Sequence, residues 1–135
     1  MTRINVIPVE ELSDQHLIAE YRELTRAIKI RCDIKNAPNN YILGKGHVKW
    51  GKKHSLFLIQ RYEKLCIEMK YRGFNTSFDS NNLYKLLDED TNNTYFVTKN
   101  DILINLERIK SRYNQKPQWY RWTKREKPKY FENNC

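Results

Sequence analysis

The densest set of groups able to do chemistry lies between residues 14 and 27. On a helix, residues four apart stack above one another and residues seven apart nearly do. Gln15, Ala19, Arg22 and Arg26 therefore form one stripe, and His16, Ala19, Glu23 and Ala27 form the stripe beside it. Two guanidinium groups one turn apart suit phosphate oxygens, and the alanines leave room for a bulky partner to come close. A carboxylate is the wrong group for holding an anion, so Glu23 needs its own explanation. Spacing alone favours an exposed ion pair with Arg22 or Arg26, which contributes on the order of 0–1 kcal/mol. The chemical alternative is a carboxylate set to face a positive charge that develops during a reaction.

The elements that carry these residues read as helices. The first runs from about Asp14 to Arg31, with Ser13 or Asp14 as N-cap and an apolar stripe of Leu17, Tyr21, Leu24 and Ile28. The second starts near Ser55 and stops at Gly73, with Leu58, Tyr62, Leu65 and Met69 facing inward beside Ile59 and Cys66. The third starts near Asn100 or Asp101, where Thr98-x-x-Asp101 resembles a capping box. Its predicted buried side is Ile102, Leu106, Ile109 and Tyr113, and Pro117 ends it. Residues 36–40 and 88–93 have turn chemistry. With no alternating strand pattern and no linker, the expectation is an all-α single domain over residues 1–135.

Lys and Arg number 25 against 16 Asp and Glu, a net charge of +9 on 135 residues, which favours a polyanionic partner over a small neutral one. No stretch approaches the roughly 18 apolar residues of a membrane span, and the N-terminus lacks a secretory signal. Cys32, Cys66 and Cys135 form an odd set with no Cys-x-x-Cys pair, read as reduced thiols of a cytoplasmic protein. His47 and His54 lack partners at metal-ligand spacing, so neither a metal nor a cofactor is expected. His47, in Gly44-x-Gly46-His47, is read as shaping a turn.

Several blocks together resemble the phage pyrimidine dimer DNA glycosylase family, also called endonuclease V. They are Thr2-Arg3-Ile4-Asn5, the run from Asp14 to Leu24, the run from Ile42 to Val48, Arg72-Gly73-Phe74, and Pro117-Gln118-Trp119-Tyr120. The blocks fall in the family's order between residue 2 and about residue 122. Departures are Lys49–His54, the short stretch between Ile28 and Tyr41, and Thr25 in place of a frequent proline.

The resemblance implies three main helices with the N-terminal segment threaded between them, and a monomer acting on double-stranded DNA that contains damaged bases. It implies removal of Met1 and attack by the Thr2 amine on the damaged nucleotide, with Glu23, Arg22 and Arg26 completing the catalytic set. DNA contacts implied are Arg3, Gln15, His16, Arg22, Arg26, Arg108, Arg112, Trp119, Tyr120 and Arg121. The expected activity is excision of the 5′ base of UV-induced cyclobutane pyrimidine dimers through an imine, followed by strand cleavage by β-elimination. Alternatives are the same chemistry on another damaged base, or a catalytically silent DNA-binding module. An α-amine has a pKa of about 7.7–8.0, and nearby Arg3, Arg22 and Arg26 would lower it, keeping the nucleophile uncharged.

Three features outside the first helix also bear on DNA. Arg108 and Arg112 lie one turn apart, placed by periodicity opposite the third helix's apolar stripe. Trp119-Tyr120-Arg121-Trp122 either stacks on nucleic acid or packs the tail against the core. Lys45, Lys49, Lys52 and Lys53 read as a basic loop that holds DNA nonspecifically.

Overall fold

A computed structural model describes residues 3–77 and 80–131, and every regular element among them is helical. Thr2 and Cys135 lie outside the described residues. The helices are α1 (Asp14–Lys29), α2 (His47–Lys53), α3 (Ser55–Arg72), α4 (Ser80–Tyr84) and α5 (Lys99–Gln115). Short 3-10 turns occupy Val9–Glu11, Pro117–Trp119 and Lys129–Phe131.

Local chemistry sets the ends of the long helices. Ser13 caps α1 by accepting the His16 N–H at 3.1 Å. Gly73, at φ 90°, takes the left-handed conformation that closes α3. Thr98 and Asp101 form the expected capping box on α5, and the Tyr95 hydroxyl donates to the same Asp101 carboxylate at 2.6 Å. α5 starts at Lys99, directly after its Thr98 cap and slightly before the expected Asn100 or Asp101, and α1 stops at Lys29 rather than Arg31.

α1 packs along α3, and α5 is joined to that pair through the N-terminal segment that runs between them. Ile4, Val6 and Ile7 of this segment are buried, yet it has no strand partner for its backbone. Side chains fill that need, as buried peptide groups require. The Ile4 N–H donates to His47 Nε2 at 2.9 Å, and Ile4 O accepts from the Tyr41 hydroxyl at 2.8 Å. The Val6 and Ile7 N–H groups both donate to Asn105 Oδ1, at 2.7 and 3.1 Å, and Ile7 O accepts from Arg61 Nη1 at 2.7 Å. The segment is thus threaded between helices, as the family resemblance implied.

This threading corrects the expected face of α5. Its fully buried line is Asp101, Asn105, Ile109 and Tyr113, while Ile102 and Leu106 are only half-buried. An apolar face there would leave two peptide N–H groups unpaired, each at a cost of about 1–3 kcal/mol. The basic stretch around Lys49 is also not a loop. It forms α2, because Trp50 must be inside, packed edge-on against Tyr41 and Tyr95 and flanked by His47, His54 and Phe57. Gly51 faces Ile4 so closely that an added Cβ would lie 2.5 Å from Ile4 Cδ1.

Candidate active site

Where the N-terminal segment emerges between α1 and α5, it forms one wall of a pocket of about 240 Å³. Arg3 and Asn5 come from the segment, His16, Ala19, Glu20 and Glu23 from α1, and Arg108, Ile109 and Arg112 from α5. The α1 spacing that placed Ala19 between His16 and Glu23 is realised here, with the alanine opening the floor. Arg108 is half-buried beside Asn105 and Ile109, not opposite the buried line of α5, whereas Arg112 is exposed at the rim.

The pocket lining carries three arginines, Arg3, Arg108 and Arg112, against the carboxylates of Glu20 and Glu23. Burial lowers the Arg3 pKa below its ordinary value, and the neighbouring charges of Arg108 and Arg112 lower it further, against a raising effect from Glu23. Arg3 Nε and Arg108 Nε are buried with no hydrogen-bond partner among the described residues. Buried unpaired guanidinium N–H groups are costly, and an anionic oxygen entering the pocket would satisfy them. Glu20 is bound by Arg61, and Glu23 is the second carboxylate of the lining.

His16 is held neutral. Burial, then the charges of Arg3 and Arg112, depress its pKa to about 4. Its ring stacks on Tyr120 at 4.9 Å between centroids and 4° between planes, and Nδ1 pairs with Ser13 Oγ at 2.9 Å. His47 does its work outside the pocket. Because the Ile4 N–H donates to Nε2, the proton sits on Nδ1 and donates to Ile42 O at 2.7 Å. Burial, the leading cause, lowers its pKa and favours this neutral tautomer.

Below the pocket floor lies a polar network that spacing did not reveal. Arg61 grips Glu20 with two N–H groups, Glu20 Oε1 accepts from Asn5 Nδ2 at 2.9 Å, and Asn5 Oδ1 accepts from Asn105 Nδ2 at 2.8 Å. Glu20 is 2 % exposed and Asn105 0 %. The one sequence signal is a lone asparagine inside the apolar run Ile102–Leu106.

The remaining predicted contacts fall around this pocket rather than in it. Arg22 and Arg26 are exposed on α1 and do not line the cavity. Gln15 Oε1 accepts the Arg121 N–H at 3.0 Å, and Arg121 O accepts the Asp14 N–H at 2.7 Å, so the tail crosses the start of α1. The two readings of the aromatic tail divide by residue. Tyr120 and Trp122 pack inward, with the Trp122 indole N–H donating to Glu11 O, while Trp119 is 61 % exposed and Arg121 is also exposed. Arg125 completes the docking of the tail by a two-bond grip on the buried carboxylate of Glu68. In α2, Lys52 donates to Ile28 O and Lys53 to Asn39, which leaves Lys45 and Lys49 as the lysines of that stretch with no such bond among the described residues.

Among the described residues no cluster of three or more His, Cys, Asp or Glu could hold a metal ion, and no helix is long and apolar enough to cross a membrane. Cys32 and Cys66 are free thiols, and burial raises the Cys66 pKa to about 11.

The described residues thus form an all-α domain with three arginines and two carboxylates around one cleft. The family model described as pyrimidine dimer DNA glycosylase matches residues 1–82. The chain belongs to the pyrimidine dimer DNA glycosylase family, and so to the DNA-repair glycosylases whose substrate is DNA containing pyrimidine dimers. The matched span carries Arg3, Asn5, His16, Glu20 and Glu23. Arg108 and Arg112, the α5 side of the same pocket, lie beyond it.

Proposed function

We propose that the protein cleaves the glycosyl bond of the 5′ base of a cyclobutane pyrimidine dimer with its own N-terminal amine, and then nicks the strand. The observation that carries this reading is Glu23 in a pocket walled by Arg3 at the start of the threaded segment. Arg3 lines that pocket, and the amine proposed as nucleophile belongs to the residue directly before it in the chain.

The chemistry follows from the charges. The uncharged amine of residue 2 bonds to the anomeric carbon as the bond from that carbon to the base nitrogen breaks, and the base departs with a proton. The Glu23 carboxylate stabilises the oxocarbenium-like charge, as carboxylates do in glycoside hydrolysis. The amine nitrogen gives up the proton that the base carries away, and a proton from solvent on the ring oxygen then opens the sugar to a protonated imine. The imine acidifies the adjacent sugar carbon, and loss of its proton expels the phosphate ester on the 3′ oxygen, breaking the strand. Arg3, Arg108 and Arg112 hold flanking phosphates, with Arg22, Arg26 and Arg121 extending that surface and Trp119 offering a ring for stacking. A pyrimidine dimer stacks and pairs poorly, so distorting the duplex there costs less than at undamaged sequence. One chain would carry the whole set, so this reading asks for no more than a monomer.

The test is reduction with borohydride during incubation with a dimer-containing duplex. A covalent protein–DNA adduct is expected, together with its loss when the N-terminus is acetylated. A duplex cut without any trapped adduct would overturn the mechanism, and the absence of both cutting and adduct would leave a DNA-binding module.

A further inference from the structure

We propose that Asn105 is a positioning residue of this reaction: it sets the register of the threaded segment and thereby the position of the attacking amine. The inference rests on the N-terminal nucleophile proposed above. Asn105 does not line the pocket and is 0 % exposed, so it has no direct route to substrate. Its carbonyl oxygen nevertheless accepts two consecutive N–H groups, those of Val6 and Ile7, and its amide nitrogen donates to Asn5 Oδ1 at 2.8 Å.

Three bonds from one side chain to three successive residues fix both position and direction of the segment. Asn5 passes the constraint on to Glu20 on α1, and Arg61 ties Glu20 to Ile7 O on the far side. Asn5 and Glu20 themselves form part of the pocket wall. The same asparagine therefore locks the arm that carries the amine to the helix that carries Glu23. With the His47 and Tyr41 bonds to Ile4, this anchor sets the course of the chain that leads to residue 2. A misplacement of about 1 Å at a nucleophile costs about 100-fold in rate. The amide accepts twice and donates once, and an aspartic acid kept neutral by burial at this site would do the same.

The experiment compares Asn105→Ala, Asn105→Asp and wild type with enzyme in excess over a dimer-containing duplex. It measures the Kd for the duplex and the single-turnover rate of borohydride trapping. Asn105→Ala is expected to trap about 100-fold more slowly with Kd changed less than threefold, and Asn105→Asp to stay within about fivefold of wild type in rate. Asn105→Ser, whose hydroxyl accepts one of the two N–H groups, carries the same test with about a tenfold loss if Asn105→Ala does not fold. Trapping at the wild-type rate in the alanine and serine variants, a loss that appears wholly in Kd, or an aspartate variant as slow as alanine would each overturn the assignment. Failure of wild type itself to form an adduct would instead overturn the proposed function, so the two failures are distinguishable.

Discussion

Gly51→Ala sets two effects of known size against each other. Gly51 lies within α2, where alanine is intrinsically better by about 0.8–1.0 kcal/mol. The added methyl would sit 2.5 Å from Ile4 Cδ1, 3.4 Å from Leu58 Cδ1 and 3.5 Å from Ala27 Cβ. Relief requires Ile4 Cδ1 to retreat by roughly 1 Å, but Ile4 is 1 % exposed and its N–H and C=O are pinned by His47 and Tyr41. Overpacking of a buried site costs about 1–3 kcal/mol, so the clash outweighs propensity and the net loss is about 1 kcal/mol. At this chain length that is roughly 4 °C in Tm. The decisive assay is a double-mutant cycle by urea unfolding followed by circular dichroism. Ile4→Val removes the clashing Cδ1 and alone costs about 1 kcal/mol. Adding Gly51→Ala on that background is expected to be neutral or stabilising, a coupling of about 1–2 kcal/mol. If Gly51→Ala stabilises the otherwise unchanged protein, or the two changes simply add, the close passage of the N-terminal segment against α2 is wrong.

Other consequences are as direct. Glu20→Ala strands the buried Arg61 guanidinium and is expected to destabilise by about 3–5 kcal/mol in the same unfolding assay. The folded-state pKa of His16, about 4, lies below its ordinary value of 6.5, so its contribution is fully present above pH 6.5 and is lost as pH falls towards 4. By pH 5 the loss is on the order of 2 kcal/mol, and a His16→Asn variant should show a shallower decline between pH 6.5 and 5. Affinity for duplex should fall steeply with salt, and Arg112→Ala should reduce the log–log slope by about 1; a flat dependence would contradict phosphate contact at the pocket. Glu23→Gln is expected to bind dimer-containing DNA yet lose base excision, and full excision by that variant would remove Glu23 from the chemistry.

How much of this was legible in the sequence depended on whether a residue's partner was local. Ser13, Gly73 and the Thr98–Asp101 box bond within a turn of themselves, so cap chemistry located three helices. The apolar stripe of α1 was equally plain. Trp50 was not, because α2 has only 7 residues and starts from Gly46 in a left-handed conformation with no side-chain cap, leaving a lysine-rich stretch that reads as loop. On α5, hydrophobic periodicity chose Ile102 and Leu106, whereas the inner line includes Asp101 and Asn105 because a strandless backbone passes there. A polar residue buried to satisfy a peptide group leaves no periodic trace. The pocket itself joins Arg3 to Arg108 and Arg112, more than a hundred residues apart. Family resemblance, not spacing, grouped them in advance; Asn5 and Glu20 were quoted within its blocks but given no role.

The central claim is that the backbone nitrogen of residue 2 forms the covalent bond to the sugar. It is tested most directly by mass spectrometry of the borohydride-trapped adduct after tryptic digestion. The nucleotide remnant is expected on the N-terminal peptide Thr2-Arg3, attached through its α-amine. A remnant on an internal lysine, such as Lys45 or Lys49, would contradict it.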